Sequence, residues 1–366
     1  MHMKLQVTQE NLNKALNNVA RIAMVNKNAL PILNNVLIRT IDNRLSLSAT
    51  NLEIAITEKI GSKVQSEGAI TVPARLMQEY INSLPSGILS LELDDHKLHI
   101  STEQYKSTIN GVLADEFPLV PEISEGLNLK VATKDLKKGL QQIVFAASSD
   151  ETRPVLTGVL LNTQDGVLYG AATDSYRLAE KKFIKTAQDI SLLIPASALQ
   201  ELLRVLPEDA ETVEVFADTQ QVLFKVGDIE LVTRLIDATY PDYKKLIPTK
   251  FSTTATLARD EFTTITKVAS LFARESAGSI TIKVDEEAKT VSITSIASQL
   301  GENTSSANAE VSGTGEVTLN SRYLLDALSA LGTKEVSFSF NGKLEPCVLT
   351  SKEAPGQTYL VMPLKS

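Results

Sequence analysis

The chain of 366 residues repeats one set of landmarks at a nearly constant spacing. Residues 31–37 read PILNNVL, and residues 154–160, 123 positions later, read PVLTGVL. The triplet ATN at 49–51 returns as ATD at 172–174, again 123 positions later. Three further pairs keep a spacing of 122 or 123: 72–74 with 194–196, 84–85 with 206–207, and 117–118 with 240–241. A spacing held over so long a stretch indicates two copies of one globular domain rather than a short solenoid repeat.

A fainter third copy completes the chain. The helix that ends at Leu84 in the first copy and at Leu206 in the second has a counterpart ending at Leu331. An earlier helical stripe recurs three times, as Leu12, Leu16, Val19, then Leu136, Leu140, Ile143, then Phe262, Thr266, Ala269. We therefore predict three domains, at residues 3–123, 127–248 and 250–366. With 43% hydrophobic and 22% charged residues, each third can bury a core of its own.

Within each copy, the apolar periodicity predicts two amphipathic helices, each followed by short strands with β-branched, alternating residues. The predicted helices cover 8–27, 74–84, 134–147, 196–206, 259–274 and 321–331. Pro73 at the start of the second helix is favourable because its missing N–H is not needed there. The pattern of one helix plus about four strands, written twice per copy, predicts an α+β fold.

The charge is unevenly divided between helices and strands. The net charge is −8, but Lys and Arg exceed Asp and Glu by five on the six predicted helices. The rest of the chain therefore carries −13. A mildly basic helical face would contact phosphates without reading base sequence. Helix faces also carry Lys simply as solvated surface, so charge alone leaves both interpretations open.

The chain contains no GxxxxGK[ST], GxGxxG, HExxH, GxSxG or CxxC motif, each of which would indicate an enzyme or metal site. His96 and His99 lie three positions apart on a predicted strand and so point to opposite faces, which disfavours a shared metal. Asp174 is a candidate catalytic acid, but the first copy has Asn51 at that position, which favours a shared turn. We expect no catalytic residue, no metal and no cofactor.

The sequence also indicates the compartment. The single cysteine, Cys347, excludes an internal disulfide and is best interpreted as a small apolar strand residue in a reducing environment. The N-terminal segment MHMKLQV is too polar for a secretory signal, and no apolar run approaches the roughly 18 residues of a membrane span. We therefore expect a cytoplasmic protein.

Four segments together resemble a known family: TRPVLTG at 152–158, ATDSYRL at 172–178, YPDY at 240–243 and YLVMPL at 359–364. The family is the β subunit of bacterial DNA polymerase III, the sliding clamps, and the resemblance covers residues 3–366. It implies three repeated DNA-clamp domains, each with two helices on the inner face and two antiparallel sheets outside. It further implies a ring-shaped head-to-tail homodimer that encircles double-stranded DNA without sequence preference, as a non-catalytic processivity factor. The implied protein partners are the replicative polymerase, the clamp loader and repair proteins, each bound through a short linear motif.

The resemblance also implies three groups of site residues. The DNA-binding group is Lys14, Arg21, Lys27, Arg75, Lys137, Lys138, Arg204, Lys267 and Arg274. The peptide-binding group is Arg153, Leu156, Thr173, Ser175, Tyr176, Arg177, Leu178, Pro241, Lys245, Leu246, Pro346, Leu360, Met362, Pro363 and Leu364. The dimer interface would include Ser107, Ile109, Leu271 and Phe272. Some relatives contact DNA from the loop before the middle motif, but residues 150–155 are acidic here and lack aromatic side chains.

Two alternatives remain. The chain could be a monomeric three-domain peptide-binding scaffold without DNA encirclement, which a single-chain mass in solution would indicate. It could also be a hydrolase on a duplicated fold, in which case replacing Asp174 by Asn would abolish activity.

Overall fold

The computed structural model describes residues 2–24, 30–121, 123, 126–297 and 301–365. Six α-helices lie in this part of the chain, two in each sequence repeat. They are α1 (Gln9–Met24), α2 (Ala74–Ser83), α3 (Thr133–Gln141), α4 (Ala196–Val205), α5 (Arg259–Phe272) and α6 (Ser321–Leu331). None of these helices combines the length and apolar character needed to cross a membrane.

Local sequence signals account for the buried face of α1 and for both ends of α6. The stripe Leu12, Leu16 and Val19 of α1 is fully buried, as the periodicity predicts. Before α6, the Asn320 side chain accepts hydrogen bonds from two backbone N–H groups of the first turn. That helix ends at Gly332, whose φ of 64° is a left-handed conformation that glycine adopts without strain.

Helix α3 is shorter than predicted. The periodicity predicts a helix to residue 147, but α3 ends at Gln141 and a 3-10 turn follows at Val144–Ala146. The carbonyl of Phe145 accepts a hydrogen bond of 2.9 Å from the guanidinium of Arg177. The turn after α3 is thus held to a distant strand, a contact that single-sequence periodicity cannot detect.

The first repeat contains ten strands, which precede, separate and follow α1 and α2 along the chain. They are β1 (His2–Thr8), β2 (Asn35–Ile41), β3 (Arg44–Thr50), β4 (Ile54–Gly61), β5 (Lys63–Ser66), β6 (Ala69–Pro73), β7 (Ile88–Asp94), β8 (Lys97–Ser101), β9 (Lys106–Asn110) and β10 (Val112–Leu113). Helix α1 packs against α2 and against β3 and β4.

The second and third repeats follow the same plan. The second contains β11 (Leu127–Ala132), β12 (Gly158–Gln164), β13 (Val167–Thr173), β14 (Arg177–Lys185), β15 (Ser191–Pro195), β16 (Thr212–Ala217), β17 (Gln221–Val226) and β18 (Ile229–Arg234). The third contains β19 (Thr253–Ala258), β20 (Ser279–Asp285), β21 (Thr290–Ala297), β22 (Gly301–Asn308), β23 (Glu310–Ser312), β24 (Gly315–Asn320), β25 (Glu335–Phe340), β26 (Cys347–Thr350) and β27 (Gln357–Val361). Helix α5 packs against α6, β21 and β22, as α1 does against its own neighbours.

The described strands form four antiparallel sheets. Two have nine strands, in the orders β10-β6-β2-β3-β4-β18-β17-β16-β11 and β15-β12-β13-β14-β27-β26-β25-β19-β23. The other two have the orders β5-β1-β7-β8-β9 and β22-β21-β20-β24. The helix-plus-sheet layering confirms the predicted α+β class.

Both nine-stranded sheets join strands from different repeats. In the first junction, β4 of the first repeat pairs with β18 of the second, from Ile54↔Thr233 to Glu58↔Ile229. In the second junction, β14 of the second repeat pairs with β27 of the third, from Arg177↔Val361 to Lys181↔Gln357. Each junction joins the third strand after a helix of one copy to the third strand after a helix of the next copy.

The chain accordingly divides into two compact units that cut through the middle repeat. The first unit comprises Met1–Lys134 and Gln200–Leu235, and the second comprises Asp135–Leu199 and Ile236–Ser366. The first unit contains the first junction and the second unit contains the second. Each half of the middle repeat therefore shares a sheet with a neighbouring repeat.

Candidate functional site

The lysines assigned to DNA binding lie on helix surfaces. Lys14 on α1, Lys138 on α3 and Lys267 on α5 are exposed, and none forms an ion pair with another described residue. Lys137 is half-buried on α3. These ammonium groups are therefore free to attract an anionic ligand.

Two arginines of the same group, Arg75 and Arg274, are exposed to solvent. Arg75 is exposed on α2, with its Nε 4.0 Å from a carboxylate oxygen of Glu79, four residues along the same helix. Such exposed pairs are weak, so Arg75 can exchange this partner for a phosphate. Arg274 is exposed in a 3-10 turn just beyond α5. Lys27 lies outside the described residues.

Arg21 and Arg204 share the carboxylate of Glu201. Its two oxygens lie 3.1 Å from Nε of Arg21 and 2.8 Å from Nε of Arg204. Arg204 also donates to the carbonyls of Asn17 and Asn18 on α1, at 3.0 and 2.7 Å. These bonds give Arg204 a structural role at the first junction. A phosphate contact by Arg204 would require breaking them, whereas Arg21 remains more than half exposed.

The residues assigned to peptide binding gather in the second unit around one apolar cluster. Leu178 and Leu360 are buried there together with Tyr243 and Val348. Met362 is half-buried and packs against this cluster. An apolar floor with a flexible methionine at its margin suits an apolar peptide side chain.

Loops from both repeats of this unit meet at the cluster. The backbone N–H of Met362 donates to the carbonyl of Tyr176 at 2.8 Å, and Nη1 of Arg153 donates to Oγ of Ser175 at 3.2 Å. Tyr176 is 57% exposed and Leu246 is 53% exposed, so large apolar groups face solvent here.

The remaining members of the peptide-binding group divide by exposure. Leu156 and Thr173 are buried and contribute to the support of the surface. Half-buried or exposed are Arg153, Ser175, Pro241, Lys245, Pro346, Pro363 and Leu364. Together with Tyr176, Leu246 and Met362, these members can contact a ligand through their side chains.

Arg177 is held by several partners within its own unit. Its Nε lies 3.0 Å from Oδ2 of Asp174, and its Nη1 donates a short hydrogen bond to Asp326 on α6. The guanidinium also lies 4.6 Å from the centroid of the Tyr323 ring and 5.3 Å from that of Phe145. With its side chain only 14% exposed, Arg177 offers little surface to a ligand in this conformation. No sequence signal identifies these partners, because they come from distant segments.

Asp174 and Asn51 form the shared turn that the repeat predicts. Oδ1 of Asp174 accepts the N–H groups of Tyr176 and Arg177 at 2.9 and 3.0 Å. The side-chain oxygen of Asn51 accepts the N–H groups two and three residues ahead in the same way, at 3.0 and 2.8 Å. The next residue has a positive φ in both copies, 76° at Leu52 and 79° at Ser175. The turn-forming role is confirmed, and it accounts for Asp174 without catalysis.

Cys347 and the histidines also occupy structural positions. Cys347 is completely buried, and burial raises the pKa of its thiol, so the thiol stays protonated and unreactive. His96 lies in the turn between β7 and β8, while Nδ1 of His99 lies 2.9 Å from Oγ1 of Thr108. Within the described residues, no three His, Cys, Asp or Glu side chains are grouped to hold a metal.

The residues assigned to the dimer interface lie beside two sheet edges. Ser107 and Ile109 belong to β9, the edge strand of the five-stranded sheet. Ile109 is only 4% exposed, so its side chain belongs to the protein core and only its backbone can meet a partner. On α5, Leu271 is 53% exposed and Phe272 is half-buried. Sequence reasoning missed β22, the edge strand that packs against α5.

Comparison with known proteins covers the whole chain. Family models of the DNA polymerase III beta subunit match in three parts: the N-terminal domain at 3–121, the central domain at 130–242 and the C-terminal domain at 244–365. The beta sliding clamp of Synechocystis sp. is 32% identical over 99% of both chains.

Solved structures agree with the sequence comparison. The DNA polymerase sliding clamp of Bacillus subtilis superposes with a TM-score of 0.95 at 28% identity, over the full length of both chains. The sliding clamp of Pseudomonas aeruginosa bound to griselimycin gives 0.93 at 25% identity, again over both full lengths. On these matches the chain belongs to the beta sliding clamp family, the beta subunits of DNA polymerase III.

Proposed function

We propose that two copies of this chain close head to tail into a ring around duplex DNA and tether the replicative polymerase and other replication and repair proteins. The ring would be a non-catalytic processivity factor acting in the cytoplasm. The observation that carries the proposal is the strand pairing at the two junctions. Membership of the beta sliding clamp family supports the same function.

Two further strands are equivalent to those at the junctions, and among the described residues each has one unpaired edge. The strand equivalent to β4 and β14 in the third repeat is β22, which follows β21 as β4 follows β3. The strand equivalent to β18 and β27 in the first repeat is β9, the last of its three-strand meander. Both lie at sheet edges among the described residues. Pairing β22 of one chain with β9 of another would therefore repeat the same junction a third time.

This third junction joins different surfaces of the two chains, so it is heterologous and must close to avoid growing into a filament. Two chains contain six strands equivalent to β4 and six equivalent to β18. Four junctions lie within the chains, and two contacts between the chains close the ring. Unpaired edges invite association, and closure satisfies both.

The helices supply a surface suited to sliding. Their free lysines give a diffuse positive potential that attracts phosphate without base contacts. A closed ring holds DNA topologically, so affinity need not be high, and weak contacts permit movement along the duplex. The acidic balance of the rest of the chain keeps other surfaces away from DNA.

The apolar cluster around Leu178 and Leu360 is the proposed docking site for linear motifs. Its floor is buried, its margin carries exposed Tyr176 and Leu246, and Lys245 beside them is 82% exposed and paired with Asp242 at 2.8 Å. Griselimycin, bound by the Pseudomonas relative, is a ready competitor for testing this surface. Deleting residues 362–366 should abolish capture of polymerase-derived peptides and leave the dimer intact.

The decisive experiment compares circular and linear DNA. The protein is loaded by its clamp loader onto a nicked circle, and half of the sample is then cut once with a restriction enzyme. Retention on the circle with loss from the linear form is expected. Equal retention on both forms would show that topology does not hold the protein. A mass of one chain, 39.7 kDa, at micromolar concentration would instead favour the monomeric scaffold.

A further inference from the structure

We infer that Glu180, a buried carboxylate on β14, is a positioning residue for the peptide-binding surface, acting through Tyr243 and Lys244. The inference rests on the proposed function, because it concerns how that surface is held. Glu180 lies outside the set of residues that would touch the peptide.

Glu180 lies beside the apolar cluster. Alternation along β14 places Leu178 and Glu180 on one face of the sheet and Arg177 on the other, where it meets α6. Glu180 is only 7% exposed, so its charge requires partners inside the protein. It has two, and both come from the single 3-10 turn Tyr243–Leu246.

The first partner is Tyr243, which is 2% exposed and belongs to the buried cluster. Its hydroxyl donates to Oε2 of Glu180 at 2.7 Å. Burial, and then the neighbouring Glu180, raises the pKa of this hydroxyl, so it remains a donor at every relevant pH.

The second partner is Lys244. Its Nζ lies 2.5 Å from the same Glu180 oxygen and 4.2 Å from the centroid of the Tyr169 ring. One carboxylate oxygen thus fixes two consecutive residues of the turn, in a site where a hydrogen-bonded ion pair is strong. A cation over an aromatic face adds further attraction.

The consequence lies in the other half of the turn. Because residues 243 and 244 are fixed inward, Lys245 and Leu246 must point outward, and both are exposed. Leu246 is the large apolar side chain that this turn offers to a ligand, at 53% exposure. The Glu180 carboxylate therefore determines where Leu246 stands relative to Met362 and the rest of the cluster.

The test uses full-length protein and a fluorescent peptide carrying the clamp-binding motif of its cognate polymerase. Glu180→Ala should weaken peptide binding about tenfold or more, and Tyr243→Phe should weaken it less. Dimer mass and retention on circular DNA should stay at wild-type values. Glu214→Ala is the matched control, because Glu214 is also a strand carboxylate paired to a lysine, at 2.9 Å from Lys130.

A double variant separates positioning from general damage. Glu180→Gln can still accept from Tyr243 but leaves the Lys244 ammonium without its counter-charge, so it should weaken binding. Adding Lys244→Met removes the unpaired charge and should restore affinity to within about threefold of wild type. Independent, additive effects of the two changes would overturn the inference, as would wild-type affinity in Glu180→Ala.

Failure of the proposed surface itself has a different signature. If deletion of residues 362–366 leaves peptide binding unchanged, the docking site is elsewhere and the proposed function fails at that point. If the deletion abolishes binding while Glu180→Ala binds like wild type, only the positioning role of Glu180 is wrong.

Discussion

The two junctions share a backbone pattern but are held by different side chains. At the first junction, ion pairs such as Arg44–Asp228 and Arg21–Glu201 lie at least partly in solvent. At the second, Arg177 is 14% exposed and is enclosed by two carboxylates and two aromatic rings. The second junction lies beside the apolar cluster, because Leu178 and Leu360 belong to both. The same strand pairing therefore recurs at both junctions, whereas the side chains that stabilise each junction differ.

The largest effect should come from removing the Arg177 side chain at the second junction. Arg177→Ala leaves Asp174 and Asp326 without their cation and should lower the free energy of unfolding by about 3–5 kcal/mol. Urea denaturation followed by circular dichroism measures this change. Arg177→Lys keeps the charge but loses the planar fork and should recover only part of the stability. A loss below about 1 kcal/mol would show that the second junction is no more strongly held than the first.

The proposed third junction offers the next largest effect. Leu271→Asp places a charge on an exposed apolar position of α5 and should weaken dimerisation by about 2–3 kcal/mol without unfolding the chain. Sedimentation equilibrium over a concentration series measures the dissociation constant. Leu119→Asp is the control, because Leu119 is 92% exposed outside any helix or strand. If both variants dimerise like wild type, α5 lies outside the interface.

A smaller effect of opposite sign is expected from Glu58 at the first junction. Burial raises the pKa of Glu58 above its ordinary 4.5, while Nδ2 of Asn18 donates to its carboxylate. Its contribution to stability is therefore fully present below pH 4.5 and is lost as the pH rises through the folded-state pKa. Glu58→Gln should stabilise the protein at pH 7 by on the order of 1 kcal/mol and make no difference at low pH. Denaturation midpoints of the two proteins across this pH range test the sign.

The smallest effect should come from the exposed pair of the same junction. Nη1 and Nη2 of Arg44 donate to the two oxygens of Asp228 at 2.6 and 2.7 Å, and this lowers the pKa of Asp228 below its ordinary 3.8. The stabilisation is present above pH 3.8 and lost as the pH falls through the folded-state pKa. Asp228→Asn should cost about 0.5 kcal/mol at pH 7 and nothing in strong acid, since both side chains are largely solvated. A loss of stability as large as that of Arg177→Ala would show that side chains stabilise the two junctions equally.

The repeat spacing predicted much of the fold because turns and apolar stripes are local signals. The turn at Asn51 and Asp174 is visible twice in the sequence, and the structure shows the same hydrogen bonds in both copies. Contacts between distant segments left no such signal. Arg177 binds the turn that follows α3, and the junctions pair strands more than a hundred residues apart.

At the candidate surfaces too, contacts between distant segments could not be predicted from the sequence. The resemblance implies that Arg204 and Arg177 contact DNA and a peptide, and the structure shows both also bound to groups of the protein itself. Their burial follows from which helices and strands meet, and that depends on the whole fold. Glu180 was missed for the same reason, since nothing in its strand indicates Tyr243 as its partner.

The junction pattern has a consequence for the history of such a chain. A single repeat with this topology would carry both a β4-type strand and a β9-type strand at open edges, and neither could pair within the same copy. It would be satisfied only in a closed assembly of identical copies. Joining three copies end to end turns two of those intermolecular contacts into intramolecular ones, the first and second junctions. The edges β22 and β9 are the one contact of this type that stays unpaired among the described residues.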